Sequence, residues 1–219
     1  PSQISQSLKK GNTYSMVFWG PPGCGKTTLA RIIANELGCN FIEISPTTAG
    51  VKDIKQSVAN AKSTFFGDKT RTILFVDEIH RFNKAQQDYL LPHVENGTII
   101  LIGATTENPS FEIVSPLLSR TRVYKFNPIE KASIRVLIKR ALKHLKKEGT
   151  PLELSKDSVE FLVNFSNGDA RNVLNSLEIL MLTGEETFDI EKIKRALQEN
   201  LNRYDKTGEE HYNTISAYI

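Results

Sequence analysis

The run Gly20, Pro21, Pro22, Gly23, Cys24, Gly25, Lys26, Thr27 limits the fold of this 219-residue chain more than any other feature. It has the spacing G-x-x-x-x-G-K-[ST], in which backbone N–H groups cradle phosphate oxygens, the lysine reaches the β and γ phosphates and the hydroxyl ligates Mg²⁺. At ordinary glycine usage the pattern arises by accident in roughly one chain of this length in a hundred, so its surroundings decide its meaning. Residues 16–19 before it form an apolar run of strand type, and residues 28–37 after it carry Leu29, Ile32, Ile33 and Leu37 at helical spacing. That order sets a helix N-terminus, opened by Thr27 and Thr28, against the loop, where the helix dipole and free N–H groups favour an anion. Residues 20–28 are therefore expected to hold the phosphates of a nucleoside triphosphate.

A second motif supplies the acidic groups such a loop needs. Ile73, Leu74, Phe75 and Val76 form an apolar strand pattern that ends in Asp77 and Glu78. Asp77 is expected to hold Mg²⁺, together with Thr27, through the water shell that this ion is reluctant to shed. Glu78, one residue further, is placed to polarise a water for in-line attack on the γ-phosphate. A kinase passing phosphate to a small molecule has no need of the second carboxylate, so hydrolysis is the expected reaction.

Strand and helix patterns alternate along the first half of the chain. Residues 41–44, 70–76, 99–104 and 123–126 read as further strands, 51–61 as a helix, and 83–95 as a helix capped by Asn83 and closed by Asn96 and Gly97. Alternation implies a parallel, doubly wound α/β sheet of five strands, and such sheets bind ligands beyond the carboxyl ends of their strands. From Asn127 and Pro128 onward strand patterns vanish. Helical stripes follow over 131–147, from Ser155 to Asn167 and Gly168, from Asp169 past Met181, and from Asp189 to about 201. The expected organisation is a nucleotide-binding core over 1–127, a small all-α lid over 128–203, and the start of a further region over 204–219.

Composition closes off other classes. With 39% hydrophobic and 24% charged residues the chain has enough apolar material for a core. No apolar run approaches a membrane span and no charged-then-apolar leader opens the sequence, so an intracellular protein away from membranes is expected. Cys24 and Cys39 offer neither metal-ligand spacing nor a disulfide framework. A formal charge of +3 does not by itself imply nucleic acid.

Longer motifs carry a family resemblance. The loop with Thr28, the segment from Phe75 through Asp77, Glu78, Ile79, His80, Arg81 and Phe82 to Asp88, the segment Gly103-Ala-Thr-Thr-Glu-Asn-Pro-Ser-Phe111, and Leu117-Leu-Ser-Arg120 resemble AAA+ ATPases. More narrowly they are similar to the RarA/MgsA branch, whose eukaryotic members include the Werner helicase-interacting ATPase. Residues 204–217 also look like this branch, and the match runs over almost the whole chain. The branch is related to clamp-loader subunits and to the Holliday-junction branch-migration motor, and it acts in replication-fork maintenance and recombination. The resemblance implies ATP and Mg²⁺ as ligands, a homo-oligomer, single-stranded or forked DNA as partner, and contact with replication or single-strand-binding proteins. It implies a nucleoid-associated cytoplasmic protein in a bacterium and a nuclear one in a eukaryote.

Individual roles follow from the same resemblance. Arg120 matches the arginine finger that reaches the γ-phosphate of a neighbouring subunit, and Arg171, in Gly168-Asp169-Ala170-Arg171, matches the second sensor on a lid helix. The first sensor falls at the end of the fourth strand, on Thr106 or on Asn108. Relatives carry a longer upstream segment that helps hold adenine and a downstream helical domain that supports oligomerisation. This chain opens at a helix marked by Ile4 and Leu8, so its expected activity as it stands is weaker than that of an intact parent. Two rivals stay open, a clamp-loader-type subunit and a nucleotide-switched binding module without turnover.

Local charge leaves DNA contact open. Lys131, Arg135, Lys139, Arg140, Lys143, Lys146 and Lys147 line one basic helix face, and Lys52, Lys55 and Lys62 another. Each is either a solvated face or a surface for phosphate contacts. His80 reads either as a packing residue or, with Arg81, as a sensor of DNA or of a neighbouring subunit.

Overall fold

The runs over residues 16–19, 72–76 and 100–105 are nearly uninterrupted by polar positions and require cover on both faces. The computed structural model describes Ile4 and residues 13–46, 50–68 and 70–205, without the side chains of 65–68 and 201–205. The chain divides after Pro128 into two compact units. In the first, the order is β1 (Met16–Trp19), α1 (Lys26–Glu36), β2 (Asn40–Ile44), α2 (Val51–Asp68) and β3 (Thr72–Val76). A 3₁₀ turn (Ile79–Arg81), α3 (Lys84–Glu95), β4 (Ile100–Thr105), the short helices α4 (Pro109–Glu112) and α5 (Ser115–Leu118), and β5 (Arg122–Lys125) complete it.

All five strands run parallel in the order β2-β3-β4-β1-β5. The strand period of two sends alternate residues to opposite faces. Val17, Leu74, Val76 and Leu101 join Ile54, Val58 and Ala61 of α2 and Leu90 of α3 on one side. Met16, Phe18, Ile73, Phe75, Ile100 and Ile102 join Ala30, Ile33 and Ala34 of α1 on the other. The five-stranded parallel sheet expected from the alternation is the one observed.

Several boundaries differ from the sequence reading. Helix α2 continues to Asp68 instead of ending at 61, and α4 and α5 lie in a stretch that carries too few residues for a periodic signal. Each of the two begins at a proline within its first turn, a position where the missing N–H costs nothing. Ile4 is helical and buried with the α1 side of the sheet, while Leu8 lies outside the described residues.

The second unit contains α6 (Lys131–Lys147), α7 (Lys156–Phe165), α8 (Ala170–Leu182) and α9 (Ile190–Asp205). Ile134, Ile138, Leu162, Val163, Val173, Leu177, Leu180 and Ile193 make its core. Ser155 caps α7 by accepting from Ser158 N, and Asp169 caps α8 by accepting from the N–H groups of Arg171 and Asn172. The helical character is as expected, with one correction. Strands do not vanish: β6 (Glu153–Leu154) and β7 (Thr187–Phe188) pair in parallel. Two residues each are too short to show alternation in a sequence. Of the segment 204–219, residues beyond 205 lie outside the described structure.

Candidate functional site

Register brings the motifs to one edge of the sheet. Trp19 sits opposite Thr105 and Val76 opposite Gly103, so the residues following β1, β3 and β4 emerge together at the carboxyl ends of three adjacent strands. These residues are Gly20, Asp77 and Thr106.

The glycine loop turns directly from β1 into α1. Gly20 N donates to Thr105 O at 3.1 Å, and a side chain at Gly20 would lie 2.5 Å from Phe126 O, so only glycine fits this close crossing. Pro21, Pro22, Gly23, Cys24 and Gly25 follow, and the Cys24 thiol donates to Pro21 O at 3.0 Å. Lys26, buried, donates from Nζ to Gly20 O and Pro21 O, both at 2.8 Å. Thr27 is half-buried and Thr28 exposed in the first turn of α1, which holds no acidic side chain. No side chain of that turn therefore compensates the macrodipole end.

The acidic pair occupies a turn under constraint. Asp77 N donates to Ile44 O at 3.1 Å, which ties the end of β3 to β2. Glu78 has φ 52° and ψ 50°, the left-handed region that non-glycine residues seldom adopt. The next residue, Ile79, is fully buried against β4, where a side chain on Gly103 would meet Ile79 Cδ1 at 2.9 Å. Absence of a side chain at Gly103 thus makes room for the anchor that holds Glu78 in place.

Two polar side chains approach Glu78. The Thr106 hydroxyl donates to Glu78 Oε2 at 3.4 Å, and His80 Nδ1 lies 3.2 Å from the same oxygen. His80 Nδ1 is also 3.0 Å from Thr105 Oγ1, at the end of β4. His80 therefore faces inward, toward the carboxylate, whereas its neighbour Arg81 is exposed. The side chain is thus engaged within its own chain, between the ends of β3 and β4.

The first-sensor alternatives separate. Thr106 approaches Glu78, while Asn108 caps α4, its Oδ1 accepting from Ser110 N at 3.1 Å. Arg120 follows α5 on the surface, its Nε 2.5 Å from Glu95 Oε1 and its NH1 donating to Pro116 O at 2.8 Å. Arg171 is exposed in the first turn of α8 in the second unit.

The sequence assigns no role to Gln87, which lies in the segment between Phe75 and Asp88. Buried at 2% exposure, its amide donates to Phe82 O and Glu112 O, each at 3.0 Å, and accepts from Val114 N at 2.9 Å. It thereby ties α3 to the segment that leads into Arg120. A second glutamine beside Gln86 in a capping sequence gave no signal of this, because Gln86 alone completes the box with Asn83.

The basic faces are partly spoken for. Arg135 makes a two-pronged pair with Glu160, which pulls the carboxyl of Glu160 below its usual range and raises the guanidinium. Lys131 donates to Asn164 Oδ1 at 2.7 Å. Lys139, Arg140, Lys143, Lys146 and Lys147 on α6, and Lys52, Lys55 and Lys62 on α2, are exposed.

Strand, glycine loop and helix beside an apolar strand ending in two carboxylates define a P-loop nucleotide-binding protein. The family model described as ATPase family associated with various cellular activities (AAA) matches residues 16–130, and one described as AAA C-terminal domain matches 147–219. The chain belongs to the AAA ATPase family.

Its relatives fall in the branch that the motifs resemble. It is 45% identical over 221 residues to Replication-associated recombination protein A of Haemophilus influenzae, matching 98% of this chain and 49% of that protein. Identity to the protein of the same name from Coxiella burnetii is 47%, over 98% of this chain and 50% of the relative. It is 43% identical to ATPase WRNIP1 of Dictyostelium discoideum, over 93% of this chain and 26% of the relative. The chain thus spans about half the length, or less, of these curated relatives. Among solved structures, the Thermotoga maritima RuvB Holliday junction branch migration motor matches with a TM-score of 0.70 and 27% identity, over 89% of this chain and 65% of that one.

Proposed function

We propose that this chain is the ATP-hydrolysing core and lid of a DNA-associated AAA+ ATPase that works in replication-fork maintenance, recombination and repair. The observation that carries this reading is the Glu78 carboxylate, held at the carboxyl end of β3 in a left-handed backbone conformation, on the sheet edge where the glycine loop also emerges. The names of the relatives, Replication-associated recombination protein A among them, support the cellular setting.

The loop suits a triphosphate. Among the described residues Lys26 Nζ donates only to loop carbonyls, and no carboxylate in the first turn of α1 opposes an anion there. Lys26 would exchange those carbonyls for phosphate oxygens, while loop N–H groups among residues 23–28 receive the others. Thr27 and Asp77 offer a hydroxyl and a carboxylate, hard oxygen donors of the kind Mg²⁺ prefers. When bound, Mg²⁺ would neutralise charge on the β- and γ-phosphates.

Glu78 takes the proton of the attacking water. Thr106, rather than Asn108, serves as the first sensor, because the Asn108 side chain is engaged as a helix cap. Arg120 supplies positive charge in trans within a homo-oligomer, and Arg171 reads the γ-phosphate from the lid. Single-stranded or forked DNA is the partner that stimulates turnover, which places the protein on the nucleoid of a bacterium or in a eukaryotic nucleus. No described helix is long and apolar enough to cross a membrane.

The test is steady-state ATP hydrolysis by the intact parent protein, with and without single-stranded and forked DNA, beside its Glu78→Gln variant. DNA-stimulated turnover that the substitution abolishes is the expected result. Tight ATP binding without turnover under every DNA condition would overturn the enzyme reading in favour of a nucleotide-switched module.

A further inference from the structure

His80 lies within hydrogen-bond reach of two groups through a single atom. Its Nδ1 is 3.0 Å from Thr105 Oγ1 and 3.2 Å from Glu78 Oε2. The hydroxyl of Thr105 has one hydrogen, and the fully buried Thr105 has two further partners. Its Oγ1 accepts from Glu107 N at 2.9 Å and directs its hydrogen to Glu107 O at 3.3 Å. With that hydrogen engaged, Thr105 meets His80 as an acceptor. An ionised Glu78 is an acceptor as well. Both neighbours therefore require the proton on Nδ1, and a lone pair there would face two oxygen lone pairs. The geometry selects the Nδ1–H tautomer, bonded to Thr105 Oγ1 at the end of β4, with its positive edge 3.2 Å from the carboxylate oxygen.

The arrangement treats the two oxygens of Glu78 unequally. Oε2 receives the Thr106 hydroxyl at 3.4 Å and has His80 Nδ1 at 3.2 Å. Oε1 makes no hydrogen bond among the described residues, which leaves it to water. Backbone strain at Glu78, φ 52°, would otherwise let the turn relax and swing the side chain away.

We propose that His80 is a positioning residue for ATP hydrolysis: its Nδ1–H fixes Glu78 Oε2 against Thr105, so that Oε1 is the oxygen that takes the proton from the attacking water. The inference rests on the reading of Glu78 as the water-activating carboxylate. It also gives the end of β4 a physical link to the carboxylate, since a shift of Thr105 is felt at Glu78 through one imidazole. His80 touches neither substrate nor water in this role, and its effect is on orientation alone.

The choice of atom makes the test specific. An asparagine amide nitrogen falls near the place of Nδ1, whereas a glutamine amide nitrogen falls near that of Nε2. In the intact parent protein, His80→Leu, His80→Asn and His80→Gln are compared with Glu78→Gln for kcat, KM for ATP, ATP affinity at equilibrium and thermal midpoint. A misplaced catalytic group costs on the order of 10²-fold, so His80→Leu and His80→Gln are expected to lose about that factor in kcat, with ATP affinity changed less than about twofold. His80→Asn is expected to recover most of the loss. In a Glu78→Gln background, His80→Leu should cost nothing further, because residues that act as one unit are not additive.

The proposal is overturned if His80→Leu keeps wild-type kcat, if glutamine rescues as well as asparagine, or if kcat falls only in step with ATP affinity and thermal midpoint. Should His80→Leu fail to fold, the contrast between asparagine and glutamine decides by itself. Loss of turnover in Glu78→Gln with normal turnover in His80→Leu removes this inference alone. Wild-type turnover in Glu78→Gln removes the reading of Glu78, and this inference with it.

Discussion

Arg120 Nε lies 2.5 Å from Glu95 Oε1, so the arginine proposed to serve a neighbouring subunit is engaged within its own chain. Both side chains are about two-fifths exposed, and pairs of that kind are worth about 0–1 kcal/mol. Transfer to a phosphate on an adjoining subunit would meet little opposition. Arg120→Ala in the intact parent is expected to lower DNA-stimulated turnover by about 10³-fold or more, with ATP binding retained. Glu95→Gln is expected to leave turnover at least as high as in the unsubstituted protein. A fall in both variants, measured by phosphate release, would show that the pair matters for structure rather than for exchange.

Lys26 is expected to carry nucleotide affinity. Because its ammonium is satisfied by two loop carbonyls, Lys26→Ala removes a donor from the loop without stranding a buried charge. A ligand at a hundred times its dissociation constant stabilises a protein by about 2.7 kcal/mol. The ATP-dependent rise in thermal midpoint is expected to disappear in Lys26→Ala, while the midpoint without nucleotide changes little.

Gly103→Ala tests the anchor beneath Glu78. The added methyl would meet Ile79 Cδ1 at 2.9 Å and Cγ2 at 3.1 Å, between a strand and a strained turn. Overpacking of this type costs about 1–3 kcal/mol. The expected outcome is a lower thermal midpoint together with a kcat reduced more than ATP affinity, since the loop that binds phosphate lies on β1 and the displaced turn on β3.

Asn83 and Gln86 form a reciprocal cap at the start of α3, with backbone-to-side-chain distances of 3.0 and 2.9 Å. Replacing such a cap by alanine costs about 1 kcal/mol. For a chain of this size Asn83→Ala should lower the midpoint by about 2–4 °C, measured by calorimetry, with no change in ATP affinity.

His93 gives the first unit a pH dependence. The imidazole is buried on α3, its Nδ1 has no hydrogen-bond partner among the described residues, and its ring meets Tyr89 edge-on at 5.2 Å. Burial first, and the nearby Lys62 charge second, push its pKa below the ordinary 6.5. Below 6.5 the unfolded chain binds a proton that the folded one resists, so the contribution of neutral His93 is complete above 6.5 and is lost as pH falls toward the folded value. Stability measured by urea unfolding is expected to fall between pH 7 and 5, and His93→Phe is expected to flatten that part of the slope.

Much of the fold is legible in the sequence. Strand-loop-helix order around Gly20 and Lys26, five apolar runs of strand length and the helical stripes after Pro128 are local signals, each fixed by periodicity or by a glycine or proline within a few residues. Length was less legible where the pattern weakens: α2 runs on to Asp68 through residues that keep no clean stripe, and β6 and β7 are too short to have a period.

The sequence by itself determined that phosphate-binding glycines, a lysine and two carboxylates would meet at strand ends, because strand length and alternation place those residues without knowledge of their neighbours. Only the tertiary structure decided which side chains share Glu78. Thr106 reaches the carboxylate, and Thr105 reaches His80, because β3 and β4 are adjacent, and His80 turns inward because Ile79 is buried over Gly103. Gln87 became a clamp on the path to Arg120 for the same reason. These are hydrogen bonds across about 25 residues of chain. Such contacts depend on strand order and on the packing of one residue against another, neither of which leaves a period in the sequence.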